Sequence, residues 1–526
     1  MHDFDYIIVG AGSAGCVLAD RLSADPDVTV LLLEAGGRDR SPLIRIPKGF
    51  GLLMDHPSLA WHFPVRPIGP SGRVEDWVRG RTLGGSSAIN GMVYNRGARA
   101  DYDALGDPDW AWDVLLPVFK EIEDNALGGT ATRGVGGPLP ISTAAVAEEL
   151  CEEAMESAGR LGWRRVQDLN ESDDERIGYA MSTIRDGRRV SAAHAFLRPA
   201  EKRPNLTVVT DAHATRILAE SGRAIGVATR AGDYRANAEV IIATGSLATP
   251  KLLQLSGIGP ADVLRDAGVD VLVDSPNVGA RLREHRCFKL QFRLKDDLGY
   301  NRLLGTGPRQ ALAGLKYLAS RRGPLAVPAY DVIGFFKSRP GLDRPDAQFL
   351  FAPFSAAPQV PGKALRLERE PGMSALGYIL RPDSEGSLRI TSADPDAPVD
   401  IDPGYLTSDH DRKVGVDIFH RVRELFTHDP IAGRVQAEID PGPRVRDPQD
   451  VIDAALDQGY CGYHTIGTCA MGPDGTDVVD GALRVRGVEA LRVVDCSVLP
   501  SMVSGNLNGP IMAMAWRAAE LIRSGA

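Results

Sequence analysis

The opening of this chain, residues 4–37, FDYIIVGAGSAGCVLADRLSADPDVTVLLLEAGG, limits what it can fold into more than any other stretch. An apolar run over 6–9 breaks into GAGSAG, continues in a helical pattern through Leu22, and returns as an apolar run over 28–33 that ends in Glu34. That order is strand, glycine turn, helix, strand. Gly10 permits the tight turn, Gly12 lets the backbone approach a pyrophosphate, and Gly15 allows helix and strand to pack closely. Ser13 and Ala14 stand where the helix N-terminus turns its N–H groups toward phosphate oxygens. Glu34 follows at about 20 residues, where a carboxylate holds a ribose hydroxyl and repels a 2′-phosphate. With strands, helix and acid in register, the opening reads as a dinucleotide-binding unit of an α/β protein.

At 526 residues the chain exceeds one hydrophobic core, so at least two domains are expected. Its formal charge of −9 gives no electrostatic reason to seek nucleic acid or an anionic membrane. No charged-then-apolar leader precedes the first strand and no apolar stretch reaches spanning length, so a cytoplasmic location without a membrane span is expected. The six cysteines are scattered, which suits a reducing compartment. Cys461-x-x-His464-x4-Cys469 contains zinc-ligand types but no paired second half, and no metal is expected.

Residues 39–70 are rich in proline and glycine, carry Trp61 and Phe63, and have the texture of a lid. The run from Arg79 to Gly91 supplies backbone N–H and hydroxyl donors suited to a phosphate or an electron-rich ring. A helix is expected over 145–162. Residues 178–199 lead through Arg188, Ser191 and His194 into a helix-like run, with His194 read as a packing residue. Strands are expected over 206–209, 224–228 and 240–243. The last of these enters Thr244-Gly245 and a helix over 251–256, which makes Ala243 and Gly245 a second nucleotide-side contact. Between about 287 and 450, extended segments such as 377–388 and 401–406 alternate with helical ones and read as an antiparallel sheet with helices. The chain closes with YCGYHTIGTCAMG over 460–472, a strand over 491–494, Asp495, SGNLNGPI over 504–511 and a helix over 512–522. The expected architecture is α/β (α+β overall). A Rossmann-like dinucleotide domain is formed by 1–155, 195–290 and 455–526, and a substrate domain by 156–194 and 291–454.

GAGSAG with Glu34-Ala35-Gly36, then RTLGGSSAIN, ATGSLATPKLLQLSGIGP, VGARLREH, HTIGTCAMG and VVDCSVLPSMVSGNLNGPIM follow in an order and spacing that resembles the glucose-methanol-choline (GMC) oxidoreductases. The likeness runs over nearly the whole chain and is weakest between about 290 and 450. It implies FAD rather than NAD, a flavin domain assembled from discontinuous segments, and a second domain that covers the isoalloxazine ring. Carried over by motif, the cofactor contacts are Gly10, Gly12, Ser13, Ala14, Gly15, Glu34, Ala35, Arg81, Gly84, Gly85, Ser86, Asn90, Gly91, Ala214, Ala243, Gly245, Asp495, Cys496, Asn506 and Pro510. Some members attach FAD through a histidine just before the position of Asn90. Ile89 stands there in this chain, so a noncovalent flavin is implied. The first histidine of the HxxGT block falls on His464, and its His-or-Asn partner on Asn506, with Asn508 a rival for that role.

The implied reaction is oxidation of a primary alcohol to an aldehyde. A neutral His464 takes the hydroxyl proton while the carbon delivers hydride to flavin N5, and Asn506 holds the same oxygen. Oxygen or another acceptor then reoxidises the flavin. Leu350 occupies the place of a histidine found in several choline-oxidising members. With Phe349, Phe351, Phe354 and Tyr463 nearby, this favours an uncharged, aromatic or heteroaromatic alcohol, with Leu350, Tyr463, His464 and Asn506 as substrate contacts. Gly462 leaves room beside the flavin or answers to loop geometry. The competing readings are a choline-type or aliphatic alcohol dehydrogenase, a non-redox lyase on the same scaffold, and an enzymatically silent flavin-binding protein.

Overall fold

The computed structural model describes residues 3–144, 146–305, 307–358 and 365–525. The opening folds as its sequence dictates: strand Asp3–Val9, helix Ser13–Leu22 and strand Val30–Leu33. Strand Asp3–Val9 lies parallel to Val30–Leu33 on one side and to the end of Gly232–Ile242 on the other. Leu206–Val209 and Leu491–Val493 extend the parallel sheet at its two flanks. Ile7, Ile8, Leu31, Leu32 and Ile241 have no exposed surface, as strands covered on both faces require. Gly10 sits at φ +101°, and a Cβ there would lie 2.6 Å from the Ala243 carbonyl oxygen. A Cβ on Gly15 would lie 1.9 Å from the Gly10 oxygen, so only bare backbone closes this turn.

Several expected bounds shift for physical reasons. The strand expected over 240–243 is the buried end of Gly232–Ile242, whose polar first half pairs antiparallel with Arg223–Thr229 at the solvent side. The closing helix spans Asn508–Ser524 and begins before Met512, because Gly509 and Pro510 occupy its first turn, where a missing N–H costs nothing. The helix expected over 145–162 spans Glu149–Arg160, started by the Glu148 carboxylate accepting the Cys151 N–H at 2.9 Å; Ala145 lies outside the described residues.

A second sheet has the order Val435–Asp440, Arg286–Leu294, Gly372–Ile379, Ala347–Ala352, Val332–Phe336, Arg176–Tyr179, Arg164–Arg165. Its pairs are antiparallel apart from the last. The segment expected over 377–388 is broken after Ile379, where Pro382 ends the ladder and the Asp411 carboxylate gathers the N–H groups of Asp383 and Ser384. The short pair Ser387–Arg389 and Asp400–Asp402 follows. Helices Glu149–Arg160, Asp409–Leu425 and Pro448–Gln458 pack on one face of this sheet, their apolar sides joining Phe288, Phe349, Phe351 and Met373 in one core. Residues 155, 290 and 454 fall inside helix Glu149–Arg160, strand Arg286–Leu294 and helix Pro448–Gln458.

The other face of the second sheet looks toward the C-terminal ends of the parallel strands of the first. Strand parity sorts the side chains: Gln348, Leu350 and Ala352 alternate with Phe349 and Phe351, and Ser374, Leu376 and Tyr378 alternate with Met373 and Ala375. A cavity fills the space between the sheets, in the crevice at strand ends where doubly wound proteins hold their ligands.

Candidate active site

One end of the cavity is built by the glycine turn. Gly10, Gly12, Ser13, Ala14, Glu34 and Ala35 line it, joined by Ala214, Ala243 and Gly245 from the later strands. The nearest atom to a Cβ built on Gly12 would be 3.9 Å away, so its backbone faces open space. Glu34 is buried, and its two carboxylate oxygens accept the N–H groups of Ala11 and Gly36 at 2.9 and 2.8 Å. Burial pushes its carboxyl up to about 7, against the pull of those N–H groups. Each oxygen keeps a further lone pair for a hydroxyl donor. Trp61 packs beside His213 with ring centroids 5.4 Å apart, and both line the cavity. Asp495 ties the strand ends together: it accepts the N–H of Gly245 at 2.8 Å, the Thr249 hydroxyl at 2.5 Å and the Ser497 N–H at 2.8 Å. Bare backbone at Gly12, a helix N-terminus and a buried carboxylate one strand away fit the adenosine and pyrophosphate parts of FAD.

At the far end stands His464. Tyr463, in the left-handed region at φ +61°, and Gly462 turn the chain so that the imidazole enters the cavity. A Cβ on Gly462 would lie 2.7 Å from the His285 Cβ and 3.1 Å from His464 Nδ1, so the space this glycine leaves is taken by two histidines. His464 Nδ1 lies 2.8 Å from His285 Nδ1, and His285 Nε2 lies 3.0 Å from the Leu380 carbonyl oxygen. That carbonyl can only accept, so His285 carries its proton on Nε2 and offers a lone pair at Nδ1. His464 must then donate from Nδ1, which leaves the lone pair on Nε2.

The opposite side of the site requires the same tautomer. Tyr378 donates to Gln348 Oε1 at 2.6 Å, Gln348 Nε2 donates to Asn506 Oδ1 at 3.2 Å, and Asn95 Nδ2 donates to the same oxygen at 2.8 Å. The Asn506 amide nitrogen is thereby turned to His464 Nε2 at 3.0 Å. Glu284, fully buried, accepts the backbone N–H groups of His464 and His285 at 2.7 and 2.8 Å, and the Thr465 hydroxyl at 2.6 Å. Burial, with His285 and Arg79 adding to it, holds the His464 imidazole well below its ordinary value. Burial brings His285 down to about 4. Both rings are neutral near pH 7.

Most of the expected residues line this one cavity: besides those already named, Gly85, Ser86, Asn90, Gly91, Leu350, Tyr463, Asp495, Cys496 and Asn506 do so, as does Ile89. Four do not. Gly15 serves the turn; Gly84, at φ +91°, packs on Ser191 and Ala193; Pro510 sits inside the closing helix. Arg81 lies over the Trp61 ring at 4.3 Å and braces it from behind. Asn508 accepts the Ser13 hydroxyl at 2.7 Å and so belongs to the dinucleotide end, whereas Asn506 meets His464. Phe349 and Phe351 point into the helix-side core, so of the aromatics read as pocket residues only Phe354 and Tyr463 face the cavity. His194, half-buried, meets an Arg45 nitrogen at 3.0 Å. Cys461 and Cys469 are buried free thiols; the group whose ligand atoms converge among the described residues is Asp383, His410 and Asp411. Glu284 and His285 stand in the VGARLREH block, yet their function depends on a contact with residues about 180 positions later. Only the adjacent acid-histidine pair among the arginines of that block could have marked them.

A nucleotide-binding crevice that ends at a buried neutral base is the signature of a cofactor-dependent oxidoreductase. The sequence matches the GMC oxidoreductase family, its N-terminal part over residues 4–287 and its C-terminal part over 382–515, and the chain belongs to that family. It is a flavoprotein oxidoreductase. It is 37% identical to an alcohol dehydrogenase [acceptor] of Pseudomonas putida, over 99% of this chain and 95% of that protein. It is 36% identical to human mitochondrial choline dehydrogenase, over 99% and 90% of the two chains. The crystal structure of pyridoxine 4-oxidase from Mesorbium loti superposes with a TM-score of 0.88 at 32% identity, over 99% of both chains.

Proposed function

We propose that this chain oxidises an uncharged primary alcohol, aromatic or heteroaromatic, to the aldehyde with noncovalent FAD. The observation that carries this reading is the Nε2 lone pair of His464, fixed by hydrogen bonds on both sides and set beside an amide donor inside the cavity. Glu34 would hold the adenosine ribose and the turn from Gly10 to Gly15 the pyrophosphate, with Ser86, Asn90 and Gly91 toward the ring. Ile89 offers no nucleophile for a covalent link. Bound FAD supplies the hydride acceptor. A hydroxyl that enters between the pair replaces their direct hydrogen bond, donating to the freed lone pair of His464 Nε2 while accepting the Asn506 N–H, so its proton has a destination as the carbon loses hydride. The His464 N–H held at His285 keeps the ring from rotating, and the cavity walls limit the access of bulk water to the forming carbonyl.

The choice of a neutral alcohol is supported by what surrounds the pair. Cys287, Gln291, Tyr330, Leu350, Phe354, Ser374, Leu376, Tyr378 and Tyr460, all uncharged, are among the residues that line the cavity. Three of the cavity's aromatic rings already face protein cations: Phe354 has Lys48 at 5.2 Å, Tyr460 has Lys289 at 5.1 Å and Tyr463 has Arg79 at 5.9 Å. Kinship to a pyridoxine oxidase supports a ring-bearing alcohol, and the relatives named for choline carry the contrary reading.

Anaerobic mixing of the holoenzyme with a panel of primary alcohols tests the reading directly. Neutral aromatic alcohols should bleach the flavin, and admission of oxygen should then report whether oxygen is the acceptor. Bleaching by choline alone would overturn the substrate class, and turnover without bleaching would overturn the redox assignment in favour of a lyase.

A further inference from the structure

Among the described residues nine large apolar side chains are exposed, and four of them, Leu303, Leu312, Leu315 and Leu318, fall on two adjacent helices, Asn301–Leu304 and Pro308–Ser320. Leu312, Leu315 and Leu318 are 67%, 64% and 61% exposed, as open as a surface lysine, while Tyr317 is the buried anchor on the opposite side of the helix. Their spacing of three confines them to an arc of about 120°. Arg309 and Lys316, three before and four after Leu312, stand at the edge of that arc. Tyr317 donates to the Gly187 carbonyl at 2.9 Å, which fastens the helix beside Arg188.

The charge along this stretch of chain is one-sided. Residues 298–330 contain Arg302, Arg309, Lys316, Arg321 and Arg322 and no acid. Asp297 pairs with Arg302 and Arg309, leaving a local surplus of positive charge on a chain whose net charge is −9. Apolar side chains rimmed by cations on a helix of 13 residues, too short to span a bilayer, match the chemistry of an anionic lipid surface. A second copy fits poorly, because a two-fold contact would set this patch against itself, cation to cation. The short turn Pro324–Ala326 joins the helix to the turn Pro47–Gly49, and the next element, Phe50–Leu53, carries exposed Leu52 beside cavity-lining Phe50 and Gly51.

We infer that the helix Pro308–Ser320 docks this enzyme peripherally on an anionic membrane, by inserting Leu312, Leu315 and Leu318 between headgroups that Lys316 and Arg322 pair with. The net charge of the whole chain conceals this local patch.

Co-sedimentation of the holoenzyme with vesicles of phosphatidylcholine, with and without phosphatidylglycerol, provides the test. Binding is expected to the anionic vesicles, and high salt should release it. Leu312→Ser/Leu315→Ser/Leu318→Ser should lower partitioning by at least about tenfold with the flavin spectrum and the rate of alcohol reduction unchanged. Lys316→Ala and Arg322→Ala should each lower it by about fivefold. No binding to anionic vesicles, or binding that the leucine variant leaves intact, would overturn the inference. So would a dimer in sedimentation velocity that the leucine variant abolishes, since the face would then belong to a second copy.

Discussion

His285 and His464 meet nitrogen to nitrogen, Nδ1 to Nδ1 at 2.8 Å, with ring planes at 83°. Two imidazoles can share such a contact only if one of them donates and the other accepts. The Leu380 carbonyl assigns those roles, and the proton inventory of the site follows from it.

Removal of the base is the first expectation. His464→Ala should retain its flavin, because the dinucleotide end does not involve this side chain, and should lose about 10² to 10⁴ in the rate of alcohol-driven flavin reduction. Anaerobic stopped-flow absorbance measures both quantities in one experiment.

The pH dependence has a definite sign. The reactive form of His464 is neutral, and burial holds its imidazole well below 6.5, so kcat/KM should be flat at neutral pH and fall only as acid protonates the ring. Asn506→Asp places a carboxylate against Nε2, favours the charged ring and should move the acid limb up by about one to three pH units. A kcat/KM profile of the variant that superposes on the parent would show that residue 506 does not face the base.

His285 acts through His464 and is a positioning residue. In His285→Phe the Nδ1 proton of His464 has no acceptor, the ring can place its proton on Nε2 instead, and kcat should fall with KM little changed. A matching effect appears in stability. Burial brings His285 down to about 4, so between that value and 6.5 the unfolded chain binds a proton that the folded chain does not. The stabilisation tied to this group is present above about 6.5 and is lost as the pH falls through the folded value. Urea denaturation at several pH values should therefore show a shallower loss in His285→Phe than in the parent.

Gly462→Ala brings a methyl group to 2.7 Å from the His285 Cβ and 3.1 Å from His464 Nδ1. The two rings must separate, so flavin content should be kept while alcohol-driven reduction slows by about tenfold or more. A crystal structure of the variant would show the longer nitrogen-nitrogen distance.

The dinucleotide end was legible in the sequence because its geometry admits few residue types: Gly10 and Gly15 have no room for a side chain, and Glu34 sits at a fixed distance along the chain. His464 and Asn506 were legible through their blocks. Other features depend on register and on distant contacts. The parity of strand Ala347–Ala352 decides that Leu350 faces the cavity while Phe349 and Phe351 face the helices, and no local pattern in an entirely apolar strand announces that parity. Glu284 and His285 acquire meaning only when residues 460–465 fold against them.

The hydroxyl of Ser13 bonded to Asn508, across 495 positions of sequence, ties the first helix to the last. A ribosome making this protein has released the glycine turn long before it reaches the Asn508 amide that bonds to it. The cradle at the first helix is therefore completed only when the last helix has emerged and packed against it, so a message cut short in that helix leaves the dinucleotide end without its support.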